Sequence, residues 1–410
     1  MKRILFAIPI PYGPDRGFWV RDSGLVVLAL RKMGCDAWLV GLGDSTTVTE
    51  GRPVLAISLE EMQSAEWWKA QGPDAAVLST WSAPRFDAIR KAALAATPRV
   101  VERLDTDGIR SALLFPGPYF IRLWGSYRDK LPVYARWLAP LPAFARTAFL
   151  YAFPKLLDVR MVTTMRQLPA AIAESPIAAE RMQRMIQTFS GARLQIKMIP
   201  HPVNEDVIRY TGCSKENRII TVGRWASAQK DFPMLRKVLR DFLQRHPDWR
   251  ATVVGSGVSA RDRVTGDGAE EWQRRITFHE QLDHEQLAVE YSRSKIYLMV
   301  SRYESFCIAA AEALCCGCSV VGSCSVPTSY YFAETQSGSV AAIRTSKAFL
   351  ETLDREVERW AKGERNPEII ASVSRERMGA HTVARETLAL LENLPPGNAP
   401  SPRRQTSQFL

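Results

Sequence analysis

Short apolar runs recur along the chain, each followed by a loop rich in Gly, Pro or Asp and then by a stretch with apolar residues three and four apart. Arg3 to Ile8 is the first run, and it predicts a buried strand. Pro9 to Gly17 breaks it. Asp22 or Ser23 can cap a helix that carries Leu25, Leu28 and Leu30 and stops near Gly34. Further strands are predicted at Ala37–Val40, Ala75–Leu78, Val100–Arg103, Met161–Thr164 and Leu194–Ile199. Strands that alternate with helices predict a parallel sheet covered on both faces. The opening Met1-Lys2-Arg3 and Ile4–Ile10 superficially resembles a signal peptide. The stretch is short, holds Pro9, runs into Pro11 and Asp15, and has no small-residue cleavage site, so it reads as a first strand. No apolar run reaches the ~18–20 residues that span a bilayer.

Pro200-His201-Pro202 interrupts this series, and Thr211 to Asn217 is polar. A second alternating series follows. It predicts strands at Arg218–Val222, Ala251–Val254, Ile276–Phe278, Ile296–Val300 and Ser319–Val321, and helices at Phe232–Gln244, His284–Ser292 and Phe306–Cys316. A chain of 410 residues has room for two or three domains of roughly 100–200 residues. The expected division is 1–205, 206–380, a last helix at 381–394, and a disordered tail at 395–410 rich in Pro, Ser and Arg.

Residues 113–157 break the alternation. Eleven aromatic residues, among them Trp124, Tyr134, Trp137, Phe144 and Phe149, interleave with Arg122, Arg128, Lys130, Arg136, Arg146 and Lys155, against the single acid Asp129. The pattern suits a membrane interface, with rings at headgroup level and cations on anionic lipid. It equally suits a buried helical hairpin with a few solvated arginines. Charge adds to the picture. The net charge is +11, and residues 1–205 hold 26 Lys and Arg against 18 Asp and Glu, a surplus of 8. An anionic partner is expected on that side: a membrane surface, a phosphorylated lipid or nucleic acid. No RNA or DNA motif accompanies the charge, so nucleic acid is not the expected partner. The seven cysteines are odd in number and not spaced as a disulfide framework, which points to a reduced cytoplasmic setting. Cys315, Cys316 and Cys318 read as small buried residues around a helix end rather than as metal ligands.

Three strand ends carry chemistry. Val222-Gly223-Arg224 through Lys230 places two cations around a loop, where they can clamp a diphosphate and offset charge on a departing phosphate. Val254-Gly255-Ser256-Gly257 ends the next strand with glycines that let backbone approach a ligand. Glu304-Ser305-Phe306-Cys307-Ile308 leads from a strand into a helix whose N-terminus attracts phosphate, with Glu304 before it and Glu312 more than a turn inside it. Each alone could equally be a solvated loop or an ordinary helix.

Together, in this order, they resemble the C-terminal domain of retaining GT-B glycosyltransferases, in particular glycosyltransferase family 4. The resemblance rests on Gly223-Arg224 with Lys230, Val254-Gly255-Ser256-Gly257, the Glu304 to Glu312 spacing, and Glu312-Ala313 running through Gly317 to Val320-Val321. It is specific over roughly 216–325 and weaker over the N-terminal half. It implies an α/β, GT-B fold: two Rossmann-like domains whose parallel sheets face a central cleft. The first would bind the acceptor and the second a nucleotide sugar, and the last helix at 381–394 would cross back to the first domain. It implies catalytic or diphosphate-binding roles for Glu304, Arg224 and Lys230, and donor contacts for Glu312, Gly255, Ser256, Phe306, Cys307 and Ile308. On the acceptor side it implies Gly17 and Arg21 in the loop after the first strand, and Asp105. It also implies retention of anomeric configuration and no metal or other cofactor, although Asp105-Thr106-Asp107 has the spacing of a metal motif. The acceptor would be a saccharide or lipid-linked precursor, and the protein cytoplasmic or peripheral at the inner membrane face.

Departures from the pattern matter. Ser305 and Cys307 stand where glycines are usual, the Arg224 to Lys230 spacing is one residue longer than common, and Ser323 to Tyr331 replaces a glycine-rich loop. Cys307 at a helix N-terminus is expected to have a lowered pKa and to react with thiol reagents. Asp105 is either an acceptor-side group or a helix cap. His201 is read as hinge structure and His279 as a surface residue near the nucleotide. The alternatives are an epimerase or phosphorylase on the same fold, and a degenerate protein that binds a sugar nucleotide or partner without turnover.

Overall fold

The computed structural model describes residues 3–13, 17–20, 22–43, 52–258, 270–324 and 326–394. Among these residues the strands form two sheets. The first holds β1 (Arg3–Pro11), β2 (Asp36–Leu42), β3 (Val54–Ile57), β4 (Ala75–Leu78), β5 (Val100–Arg103), β6 (Ala170–Ala173) and β7 (Gln195–Met198). The second holds β8 (Glu216–Val222), β9 (Arg250–Val254), β10 (Ile276–His279), β11 (Ser294–Leu298), β12 (Ser319–Ser323) and β13 (Gly338–Ala341). Their orders are β3-β2-β1-β4-β5-β6-β7 and β10-β9-β8-β11-β12-β13. Every strand pair is parallel. Each order reverses beside its first strand, between β1 and β4 and between β8 and β11. Loops diverge at such a point and leave a crevice at the carboxyl ends of the strands.

The central strands are apolar on both faces because helices cover both. Ile4, Phe6 and Ile8 of β1 face one core, and Leu5 and Ala7 face another. The helix Ala380–Glu392 supplies Val383, Ala384, Leu390 and Leu391 to the first of these cores, beside the helix Asp22–Lys32. The chain thus returns to the first sheet after completing the second. Burying Val383, Leu390 and Leu391 contributes roughly 1.5–3 kcal/mol each, enough to hold the return. A short zipper reinforces it: Val203 N–H donates to Met378 O at 2.7 Å and Ala380 N–H to Val203 O at 3.1 Å.

Sequence periodicity erred in places. Met161–Thr164 is not a strand but part of the helix Asp158–Met165, with Met161, Val162 and Met165 buried on one side. A short apolar run fits either period, and here the run is too short to decide. The strand that belongs in that position is β6 (Ala170–Ala173), fully buried but with Ile172 as its one large apolar side chain. The helix expected from Phe306 begins at Ile308, because Cys307 has a left-handed backbone (φ 74°). Residues 113–157 are indeed helical, as Pro116–Lys130 and Pro140–Ala152 joined through the 3-10 turn Val133–Leu138. They are not a buried hairpin, since Tyr134, Trp137 and Phe144 are 83, 74 and 69% exposed. The predicted tail at 395–410 lies outside the described residues.

Candidate active site

The two sheets face each other across a cleft with two neighbouring lobes. One, of about 980 Å³, is lined by Arg224, Lys230, Gly255, Ser256, Glu304, Phe306, Cys307 and Ile308, with Asp22, Asp105 and His201 on the opposite wall. The other, of about 820 Å³, is lined by Gly17, Phe18, Trp81, Arg103 and Glu312 among others. Asp22, Asp105, Ile308 and Ala309 belong to both. Arg21 lies outside the described residues.

The loop after β11 carries the tightest polar group. Glu304 is 6% exposed. Its Oε1 accepts from Lys230 Nζ at 2.6 Å and its Oε2 from Gln229 Nε2 at 2.9 Å. Burial opposes the Lys230 charge, but Cys307 and Glu304 beside it outweigh that effect and raise its pKa. The ammonium is therefore charged and held at the cleft wall. Arg224 is exposed on the same wall. The first turn of the helix Ile308–Cys315 adds the positive end of its dipole, since Ile308 and Ala309 line the cleft. One wall is thus cationic, with one buried carboxylate embedded in it.

Cys307 departs from expectation. Its thiol is buried, and burial together with Glu304 pushes its pKa up to about 11, against the pull of Lys230. The dipole of one short helix does not offset loss of solvation. The thiol packs 3.9 Å from the Tyr297 hydroxyl. Phe306 is 1% exposed, with its ring 5.4 Å from those of both His201 and Tyr331. Glu312 accepts from Tyr291 Oη at 3.2 Å and faces the second lobe, away from Arg224 and Lys230.

The glycines of the β9 loop have a tertiary reason beyond ligand approach. Gly255 has φ 124°, and a Cβ on it would lie 1.9 Å from Gly223 O. A Cβ on Gly257 (φ 91°) would lie 2.4 Å from Ala226 N. The β8 and β9 loops interlock, with Trp225 N–H donating to Ser256 O at 2.8 Å. Gly255 N–H donates to the His279 carbonyl at 2.8 Å, so His279 acts here through its backbone.

The opposite wall is a charged cluster around His201. Its Nδ1 donates to Asp22 Oδ1 at 2.9 Å and its Nε2 to Asp105 Oδ1 at 3.3 Å. Burial disfavours the imidazolium, but Asp22 and Asp105 override it and bring the pKa up to about 10. Burial opposes the charge on both carboxylates too, and the His201 contacts hold both below the usual range. Behind them, burial pushes Glu174 up to about 7, against the pull of His201. Glu174 accepts from the Asp105 N–H at 3.0 Å. Asp22 (φ 60°) and Asp105 (φ 41°) both adopt left-handed backbone, which costs of order 1–3 kcal/mol per residue and clusters at functional sites. Asp105 is not a helix cap, because the next helix begins at Pro116. The paired spacing of Asp105 and Asp107 does not form a common site: Asp107 is buried against Arg122 and accepts from Ile109 N–H.

Asp22, Trp81, Arg103, Glu174 and the charge on His201 escaped sequence reasoning. Trp81 sits on a strained loop (φ 51°, then 53° at Ser82). That loop is pinned by the fully buried Arg90–Glu102 ion pair at 2.6 Å, whose carboxylate also accepts from Thr80 and Ser82. The signal available was weak: a lone Glu and Arg in apolar surroundings. The two halves also touch directly. Tyr331 Oη donates to Glu174 O at 2.6 Å, and Asp129 accepts from Ala228 N–H at 2.8 Å.

Comparison with known proteins places this geometry. Residues 208–370 match the family model of glycosyl transferases group 1. The chain is similar to sucrose-phosphate synthase from Thermosynechococcus elongatus, at 15% identity over 96% of this chain and 99% of that chain, with TM-score 0.64. It is similar to HepE from Anabaena in complex with UDP and glucose, at 14% identity over 96% and 100%, with TM-score 0.61. It is also similar to a glycosyltransferase from Rickettsia africae, at 14% identity over 96% and 98%, with TM-score 0.64. No curated protein sequence matches significantly. Residues 208–370 are thus similar to glycosyl transferases group 1, and the chain as a whole has the GT-B fold.

Proposed function

We propose that the protein is a retaining glycosyltransferase that moves a sugar from a nucleotide-sugar donor to a hydroxyl of a saccharide or lipid-linked acceptor, without a metal. The half from about 206 onward would hold the donor, and the half before it the acceptor. The observation that carries this reading is the opposition of the two walls. Arg224, Lys230 and the first turn of the helix Ile308–Cys315 offer positive charge to a diphosphate. Asp22 and Asp105 face them with carboxylate oxygens that can accept from hydroxyls. Glu304, held by Lys230 and Gln229, would accept from donor-sugar hydroxyls. In the reaction the acceptor oxygen forms the new bond to the anomeric carbon as the bond to the diphosphate breaks, and the acceptor proton passes to the departing phosphate oxygen. Arg224 and Lys230 would stabilise the charge that grows there. The family match over 208–370 and the UDP and glucose in the HepE structure support a nucleoside diphosphate donor and make UDP the first to test.

The test is calorimetric titration with UDP, GDP and ADP in the presence of chelator, followed by their sugar conjugates. Micromolar binding of one nucleotide, lost in Arg224→Ala with Lys230→Ala, is expected. Absence of binding by all three would overturn the donor assignment. An inverted product, read by NMR of the anomeric proton, would overturn retention.

A further inference from the structure

One surface lies outside the cleft. The helices Pro116–Lys130 and Pro140–Ala152 form a hairpin whose inner edge is committed to the second half. Asp129 accepts from the Ser227 hydroxyl and the Ala228 N–H, each at 2.8 Å, and the Arg302 guanidinium lies 4.9 Å from the Trp124 ring. Among the described residues the outer face has no such commitment. Val133, Tyr134, Trp137, Leu141 and Phe144 are each exposed by two thirds or more, and the exposed apolar surface continues through Phe149 and Phe153. The helix Pro140–Ala152 buries Ala143, Thr147 and Leu150. Apart from Leu150, its large apolar residues, Leu141, Phe144 and Phe149, are exposed, unlike those of an ordinary surface helix. Exposed patches of this kind mark interaction sites.

Charge selects the occupant. Residues 130–157 contain Lys130, Arg136, Arg146 and Lys155 and no Asp or Glu. Lys130, Arg146 and Lys155 are exposed. A second copy on this face would set four cations against four. The tail at 395–410 brings Arg403 and Arg404 and likewise no acid. Neither is complementary. A bilayer surface that contains anionic lipid is complementary in both respects, taking rings at headgroup depth and cations on its phosphates. Among the described residues no helix is long and apolar enough to cross a membrane, so this contact would lie on the surface.

We propose that the outer face of residues 130–157 docks on an anionic lipid bilayer. This goes beyond the transfer reading and does not depend on it. Docking there would set the cleft beside the membrane, since the same hairpin grips the Arg224–Lys230 loop through Asp129.

The test is sedimentation of the full chain with vesicles of phosphatidylcholine alone or with about 30 mol % phosphatidylglycerol, across salt, with light scattering for self-association and UDP titration as a parallel probe of the cleft. Binding to the anionic vesicles is expected, weakening as salt rises. Trp137→Ser with Phe144→Ser should weaken it about tenfold or more, and Lys130→Gln with Lys155→Gln should flatten its salt dependence. Equal binding by the Trp137/Phe144 variant overturns the proposal. So does lack of vesicle binding, or self-association that this variant abolishes. UDP binding that persists while vesicle binding fails would sink the docking surface and leave the transfer reading standing.

Discussion

The two walls of the cleft are built differently. The wall of the second half draws its chemistry from two short segments, 223–230 and 304–312, each attached to the end of one strand. The wall of the first half draws on the ends of β1, β4, β5 and β6 and on the linker, over Asp22, Trp81, Asp105, Glu174 and His201. The first kind of wall uses backbone and dipole, with one ion pair, Lys230–Glu304. The second kind is a charge network that exists only when five distant segments meet. A compact wall tolerates change around it, whereas a distributed wall couples binding to the stability of the fold.

The largest effect that separates them should come from His201→Ala. Removing one partner from a buried charge cluster costs about 3–5 kcal/mol. Chemical unfolding should therefore show a marked loss of stability, while nucleotide affinity of the folded protein changes little. The pH dependence sharpens this. His201 has a raised folded pKa, so its contribution is full below 6.5 and is lost as pH rises towards about 10. Glu174, raised from 4.5 to about 7, adds a loss in the same direction between those values. The parent should lose stability from pH 7 to 10, and His201→Ala should lose less. A parallel decline in both would break the assignment of charge to His201.

Glu304→Gln should act the opposite way. The fold should survive, judged by a cooperative unfolding transition, with a smaller loss of stability than in His201→Ala because the amide oxygen can still accept from Lys230. Transfer should fall by about 10²–10³ in kcat, the usual cost of removing one charged group at a reacting centre. Full activity would remove Glu304 from the site. Arg224→Ala should weaken nucleoside diphosphate binding by roughly ten- to hundredfold, matching a charge-assisted hydrogen bond of about 1.5–3 kcal/mol. Acceptor KM should stay put. Trp81→Ala is the smallest and the mirror image. Acceptor KM should rise about tenfold, for a ring partly buried by ligand, with nucleotide affinity unchanged. If Trp81→Ala instead weakens nucleotide binding, the division of labour between the walls is wrong.

The donor-side segments were legible because each functional residue lies within a few positions of a strand end and a helix start. Strand, loop and dipole are local properties, so Gly223-Arg224, Lys230 and Glu304 stand out in order. The local reading misjudged what only packing decides. Cys307 looked reactive from its place at a helix N-terminus, but burial, with Glu304 beside it, raises its pKa. The glycines at 255 and 257 were read for ligand approach alone, and only packing shows that the β8 loop also fills their Cβ positions. His201 looked like a hinge because Pro200 and Pro202 flank it. Nothing near it in sequence names Asp22 or Asp105 as its partners, which lie 179 and 96 residues away.

By itself the sequence determined the α/β class, the repeated strand–helix series, the break near Pro200, and the cationic loop and carboxylate of one wall. These follow from hydrophobic period and from groups adjacent along the chain. Only the tertiary structure decided that Asp22 joins Asp105 opposite that wall, that His201 is charged, and that residues 130–157 turn their apolar side outward. Each depends on desolvation and contacts between segments far apart in the chain, and neither quantity is encoded in any one stretch of it.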